Sequence, residues 1–373
     1  MHKKHSDLTK ASFGNFSRNE ISFLGTPCGE MNSFFQKIIK QLNQYQFAIV
    51  EADHKADETL SPYISFTDKI NFNRLDTHQK LNKFEIYPFF EAADLTLVNG
   101  NHFEASKQIL FIDAKKPVEK KLDKLKNVIL IILKDQTIPQ YISDFFGESL
   151  PPILNEKEED KILQFIENEI VKSKPPLYGL ILSGGKSSRM GRDKANIKYH
   201  GELSQIEYTQ KILAPFCENI FISLNPNRKI LEENSVKNLE IIYDTFLDIG
   251  PLSGILSAFK KHPDAAWLII ACDMPFLTEH SIAQLVENRN TTKIATAFKS
   301  PENEFPEPLI TIWEPKAFPK LMQMLAYGYD CPRKTLINSD IQLIDNLKIN
   351  ELKNINTVEE FELSIIELSP KLA

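Results

Sequence analysis

The chain has 373 residues, 42% hydrophobic and 25% charged, the mixture of a soluble protein with buried cores and too long for one ordinary domain. That composition excludes a disordered, collagenous or disulfide-scaffold protein. Basic and acidic side chains number 44 and 50, a net charge of -6. Neither half is a basic module, so nucleic acid is excluded as the main partner. Cys28, Cys217, Cys272 and Cys331 lie far apart, with no CxxC pair, and read as free thiols in a reducing cytosol.

Met1 to Phe16 carries Lys3, Lys4 and Lys10 without the apolar run of a signal peptide. Apolar runs such as Val128 to Leu133 fall short of the ~20 residues a membrane-spanning helix needs, so the expected location is the cytoplasm, with no membrane partner. In the first half, strands are predicted at Ile21 to Leu24, Phe47 to Val50, Leu95 to Val98, Gln108 to Ile112 and Val128 to Ile132. Phe34, Phe35, Ile38, Ile39 and Leu42 form a helical stripe between the first two. The lysines from Lys115 to Lys126 are interleaved with Glu119 and Asp123 and read as a solvated helix face. Ser149 to Lys161 and Val171 to Pro176 are Pro-rich and read as linkers, enclosing a helix marked by Ile162, Phe165, Ile166 and Ile170. The domain boundary is therefore expected near residue 174, giving domains 1–174 and 175–373.

In the second half, strands are predicted at Leu177 to Leu182, Ile220 to Leu224, Leu239 to Tyr243 and Trp267 to Ala271. Leu252, Ile255, Leu256 and Phe259 mark a helix between the last two. Strands alternating with amphipathic stretches predict an α/β fold in both domains, each a mostly parallel sheet flanked by helices.

Five of the 13 glycines fall between Gly179 and Gly201, around YGLILSGGKSSRMGRDKA at Tyr178 to Ala195. A strand ends at Leu182, and Ser183-Gly184-Gly185 follows at once. Glycines there let backbone amides approach phosphate oxygens closely. Lys186, Arg189, Arg192 and Lys194 then place four cations on one short loop, which a bound polyphosphate explains. Asp273 follows the apolar run Trp267 to Ala271, at a strand end where open parallel sheets bind ligands. A carboxylate delivered there suits Mg²⁺, which takes one or two protein carboxylates plus phosphate oxygens. Thr278 is well placed to cap the next helix, leaving Asp273 for that role.

The glycine-rich string resembles the nucleotide-binding signature of the molybdenum cofactor guanylyltransferases, and the likeness continues over roughly residues 177–363. The resemblance implies a Rossmann-like nucleotidyltransferase fold for the C-terminal domain. It implies GTP as substrate, molybdopterin or molybdenum cofactor as acceptor, and molybdoenzymes or their chaperones as downstream partners. It places the nucleotide on Leu182, Ser183, Gly184, Gly185, Lys194, Asn225, Asp244, Gly250, Gly254 and Asp273, the last also holding Mg²⁺. Lys194, Arg189 and Asp273 would carry the catalysis. Asn354 and Asn356, in Asn354-Ile355-Asn356-Thr357, would touch the pterin, although Thr357 with Glu360 also makes a helix-capping box. A strand-ending Asn225 and the turn glycines Gly250 and Gly254 also suit purely structural roles. Ser183-Gly184-Gly185 leans toward GTP over CTP. A transferase using CTP or a sugar phosphate, and a non-catalytic cofactor-delivery protein, stay open as alternatives.

The first 170 residues resemble, faintly, the GTP-binding adaptor that accompanies these transferases, through Ile21 to Leu42 and Ala93 to Gly100. The adaptor's P-loop is altered here: Gly25-Thr26-Pro27-Cys28-Gly29-Glu30 has three residues between its glycines, and Glu30 replaces the lysine. The expectation is a scaffold or substrate-handling domain without nucleotide. Cys28, with no histidine or second cysteine expected nearby, reads as a plain small residue.

Overall fold

Short runs of branched apolar residues become the strands of two separate sheets, because both faces of each sheet are covered by helices. The computed structural model describes residues 8–53, 63–69, 71–134, 137–183, 197–226, 239–345, 348–353, 355 and 358–368. The chain divides into two units, Ser12–Lys174 and Pro175–Ala373 together with Met1–Ala11.

The N-terminal unit runs β1 (Glu20–Leu24), α1 (Cys28–Gln41), β2 (Phe47–Val50), β3 (Ile64–Asp68), β4 (Asn73–Thr77), α2 (Lys83–Phe90), β5 (Leu95–Asn99), β6 (Lys107–Ile112), β7 (Val128–Leu133), α3 (Gln140–Phe146), β8 (Ile153–Asn155) and α4 (Glu159–Lys172). Its main sheet has the order β2-β5-β1-β6-β7-β8, and every pairing in it is parallel. One face packs Phe23, Leu97, Ile109 and Ile132 against Met31, Phe35 and Ile38 of α1 and Ile162, Ile166 and Ile170 of α4. Among the described residues, β3 and β4 pair only with each other.

Two expectations fail here. Ser149 to Lys161 is not a linker: it holds β8 and the start of α4. Ile131 donates its N–H to the Pro152 carbonyl (2.9 Å) and Glu156 to that of Leu133 (2.9 Å), so pairing at the sheet edge overrides the prolines. Cys28 does have a histidine beside it: the turn after β5 brings His102 Nε2 to 3.4 Å from Sγ.

The C-terminal unit runs β9 (Leu177–Leu182), α5 (Gln205–Leu213), β10 (Asn219–Leu224), β11 (Glu240–Tyr243), α6 (Pro251–Lys261), β12 (Ala266–Ala271), α7 (Glu279–Glu287), β13 (Ala295–Lys299), β14 (Pro306–Trp313), α8 (Ala317–Ala326), α9 (Pro332–Ile337), β15 (Gln342–Ile344) and α10 (Val358–Leu368). The sheet order is β11-β10-β9-β12-β14-β13-β15, with β14 antiparallel to both its neighbours. α6 buries Leu252, Ile255, Leu256 and Phe259 against Leu180, Leu182, Trp267 and Ile269. α5 and α7 cover the other face through Ile206, Ile212, Leu213, Ile282 and Leu285. No helix among the described residues is long and apolar enough to cross a membrane.

Candidate active site

β9, β10, β11 and β12 lie side by side and parallel, so their carboxyl ends form one edge. Leu182 pairs with Ser223 on one side and Ala271 on the other. Beyond the strands the ladder continues. Ser183 donates its N–H to the Ser223 carbonyl at 3.3 Å, Asp244 to Leu224 at 2.9 Å, and Cys272 to Leu182 at 3.1 Å. The edge thereby gathers Leu182, Ser183, Asn225, Asp244 and Asp273 from four separate stretches of sequence. Leu182 and Ser183 are buried, while Asn225, Asp244 and Asp273 are half-buried.

Gly250 and Gly254 do different work at the start of α6. Gly250 has φ +59° at the cap position, a left-handed conformation open to glycine, and Pro251 begins the helix after it. Gly254 lies against the strand ends: a Cβ there would stand 2.7 Å from Leu182 Cδ2 and press into the Ser223 hydroxyl. The missing side chain brings α6 down onto the edge. Asp244 sits beside it, accepting a hydrogen bond from Ser223 Oγ at 2.5 Å. Burial raises the Asp244 carboxyl above the usual carboxylate range, partly offset by the Ser223 and Ser253 hydroxyls. The Ser223 hydroxyl thus engages one of its lone-pair positions.

The turn carrying Asp273 is pinned from several directions. Ile355 donates its N–H to the Asp273 carbonyl at 3.3 Å. His200 Nε2 lies 2.7 Å from the Pro275 carbonyl, and the Tyr208 hydroxyl donates to Leu277 at 2.8 Å. The His200 and Tyr208 rings stack with centroids 3.5 Å apart, and burial keeps His200 below its ordinary pKa. Thr278 caps α7 by accepting from the Ser281 N–H, which leaves the Asp273 side chain out of that cap. Its own hydroxyl donates to the buried Glu351 carboxylate at 2.7 Å. Tyr199, buried and close to Asp273, has its hydroxyl pushed up in pKa by burial and by that carboxylate. Sequence reasoning missed His200, Tyr208, Tyr199 and Glu351. The only signal was a histidine and two tyrosines within ten residues, all on a stretch without a motif.

Gly184, Gly185, Arg189, Lys194, Asn354 and Asn356 lie outside the described residues. Among the described residues no three His, Cys, Asp or Glu side chains converge to hold a metal. A half-buried carboxylate such as Asp273 fits Mg²⁺ as a partner to substrate phosphate oxygens.

Comparison with known proteins bears on this unit. Residues 179–339 match the MobA-like NTP transferase domain. A molybdenum cofactor biosynthesis bifunctional protein of Synechocystis is 36% identical over 189 residues, 51% of this chain and 54% of that protein, so the chain spans about half of that relative's length. A probable molybdenum cofactor guanylyltransferase of Clostridium perfringens is 32% identical over 193 residues, 49% of this chain and 92% of that protein. Molybdopterin-guanine dinucleotide biosynthesis protein A of Archaeoglobus fulgidus, a solved structure, aligns with 52% of this chain and 100% of its own. Its TM-score is 0.44 and its identity 19%.

Proposed function

Because the chain belongs to the molybdenum cofactor guanylyltransferase family, we propose that its C-terminal unit transfers GMP from GTP to the terminal phosphate of molybdopterin. The acceptor phosphate oxygen attacks the α-phosphorus, the bond to the β-phosphate oxygen breaks, and pyrophosphate leaves. Such transfers need positioning and charge neutralisation rather than a covalent protein nucleophile. The observation that carries the reading is the shared edge of β9, β10, β11 and β12, which holds Ser183, Asn225, Asp244 and Asp273 together.

Asp273 would hold Mg²⁺, which supplies charge neutralisation at the reacting phosphates. The His200, Tyr208 and Ile355 hydrogen bonds fix the turn that presents Asp273. Lys194 and Arg189 would neutralise the triphosphate, with Ser183, Gly184 and Gly185 offering backbone to it. Asn225 and Asp244 would orient the nucleoside, the latter with the lone pairs that Ser223 leaves. Gly254 brings α6 close enough to shape that side, and Gly250 sets the turn before it. Asn354 and Asn356 would meet the pterin.

For the N-terminal domain, 1–174, we propose a role without nucleotide. Glu30 bonds to Lys115 at 2.7 Å and Lys134 at 2.6 Å, so the chain's own carboxylate takes the cations a phosphate would need. The neighbouring cavity, about 620 Å³, sets Glu30, Glu156 and Glu159 against only Lys37 and Lys134.

The test is incubation of the full chain with molybdopterin, Mg²⁺ and each of the four NTPs in turn, followed by mass analysis. A guanine dinucleotide with pyrophosphate released is the expected product. A cytosine dinucleotide would move the reading to CTP, and no dinucleotide from any NTP would overturn molybdopterin as acceptor, leaving a sugar phosphate acceptor or cofactor delivery.

A further inference from the structure

We propose that Cys28 and His102 form a nucleophilic thiol–imidazole pair, a site at which soft carbon electrophiles modify this protein. Cys28 is the first residue of α1, a 14-residue helix, in the loop that leaves the carboxyl end of β1. His102 comes from the turn that leaves the adjacent parallel strand, β5. Ligand-reactive groups of open parallel sheets gather at that edge.

The two loops are stitched together rather than merely near. Gly100 donates its N–H to the Phe23 carbonyl at 2.7 Å, and a Cβ at Gly100 would stand 2.8 Å from that same oxygen. Asn101 Nδ2 donates to the Thr26 carbonyl at 3.0 Å, and His102 N–H donates to Asn99 at 3.0 Å. With the backbones so fixed, His102 Nε2 rests 3.4 Å from Cys28 Sγ, and Asn101 Nδ2 lies 3.6 Å from the same sulfur.

Each contact favours attack by sulfur. The imidazole accepts the thiol proton, while the amide of Asn101 and the positive end of α1 stabilise the thiolate that remains. With a haloacetamide, Sγ forms a bond to the methylene carbon, the carbon–halogen bond breaks, halide leaves, and the proton stays on His102 until water removes it.

The other cysteines make this site distinguishable within one molecule. Burial pushes the Cys217 thiol up to about 12, and Cys272 is buried. Cys331 is exposed and serves as the ordinary accessible thiol. Cys28 itself is half-exposed, so a reagent can reach it.

The experiment is timed alkylation of the full-length protein with iodoacetamide at pH 7, with peptide mass mapping of each cysteine. Cys28 is expected to react on the order of 10-fold faster than Cys331, and His102→Gln to bring that ratio toward one. Asn101→Ala should lower it less. A Cys28 rate at or below that of Cys331 in the unmutated chain overturns the proposal, whatever the variants do. A folded His102→Gln protein with the ratio unchanged overturns it equally.

Discussion

Ser223 and Asp244, from the ends of neighbouring strands, are joined by a 2.5 Å hydrogen bond directly beneath Gly254. The contact leaves α6 no room for a side chain at that point. Gly254→Ala is therefore expected to destabilise the protein by about 1–3 kcal/mol, the usual cost of overpacking, and to slow GMP transfer. Thermal melting paired with the transfer assay checks both. An unchanged melting temperature would mean the helix shifts without cost.

Asp273→Asn keeps the size of the side chain and removes its charge. Transfer should fall on the order of 10²-fold or more with the fold intact, as when one preorganised stabiliser is deleted. Lys194→Ala should cost a similar factor. Normal turnover by a folded Asp273→Asn protein would remove that residue from the metal role.

Glu30 is held at about 2, against 4.5 for an ordinary glutamate, first by its hydrogen bond from Lys115 and then by that from Lys134. A carboxyl whose folded pKa is depressed stabilises the protein above its unfolded value and loses that contribution as it protonates in the folded state. Glu30→Gln should thus lower the melting temperature at pH 7, and the gap should close as pH falls from about 4.5 toward 2. Because the group is exposed, the effect at pH 7 should be modest and shrink with salt. Melting curves of both proteins across that window decide it.

Arg289 and Glu314 form a two-point pair at 2.7 and 3.0 Å, with the Glu314 side chain 0% exposed. Arg289 also donates to the Pro175 carbonyl at 2.9 Å. Arg289→Ala leaves a buried carboxylate without its partner, which costs about 3–5 kcal/mol. Urea unfolding should show the loss, and a midpoint within error of the parent would refute it.

Legibility followed local apolar runs. β2 and β9 match theirs end to end, and β1, β5, β6, β7, β10, β11 and β12 differ from theirs by a residue at an end. β13 is buried too, but its short Ala-Thr-Ala-Phe-Lys sequence gives no such run and was not read as a strand. β8 was hidden inside prolines, and β3 and β4 sit among exposed residues with no face to pattern. Among the site candidates, Ser183 and Asp273 stood out because each follows an apolar run, whereas Asn225 and Asp244 were named through the family resemblance. His200 and Tyr208 could not, since they act on backbone carbonyls 69 to 75 residues away.

The amino-acid order alone specified an α/β chain, the positions of nine of its strands and a stretch of sequence rich in glycine and cations, since these depend on local residue types and their period. Folding in three dimensions decided which strand ends became neighbours, that Glu30 meets Lys115 and Lys134, and that Cys28 faces His102 from 74 positions along the chain. Those outcomes depend on strand order, which long-range pairing sets and no local stretch encodes.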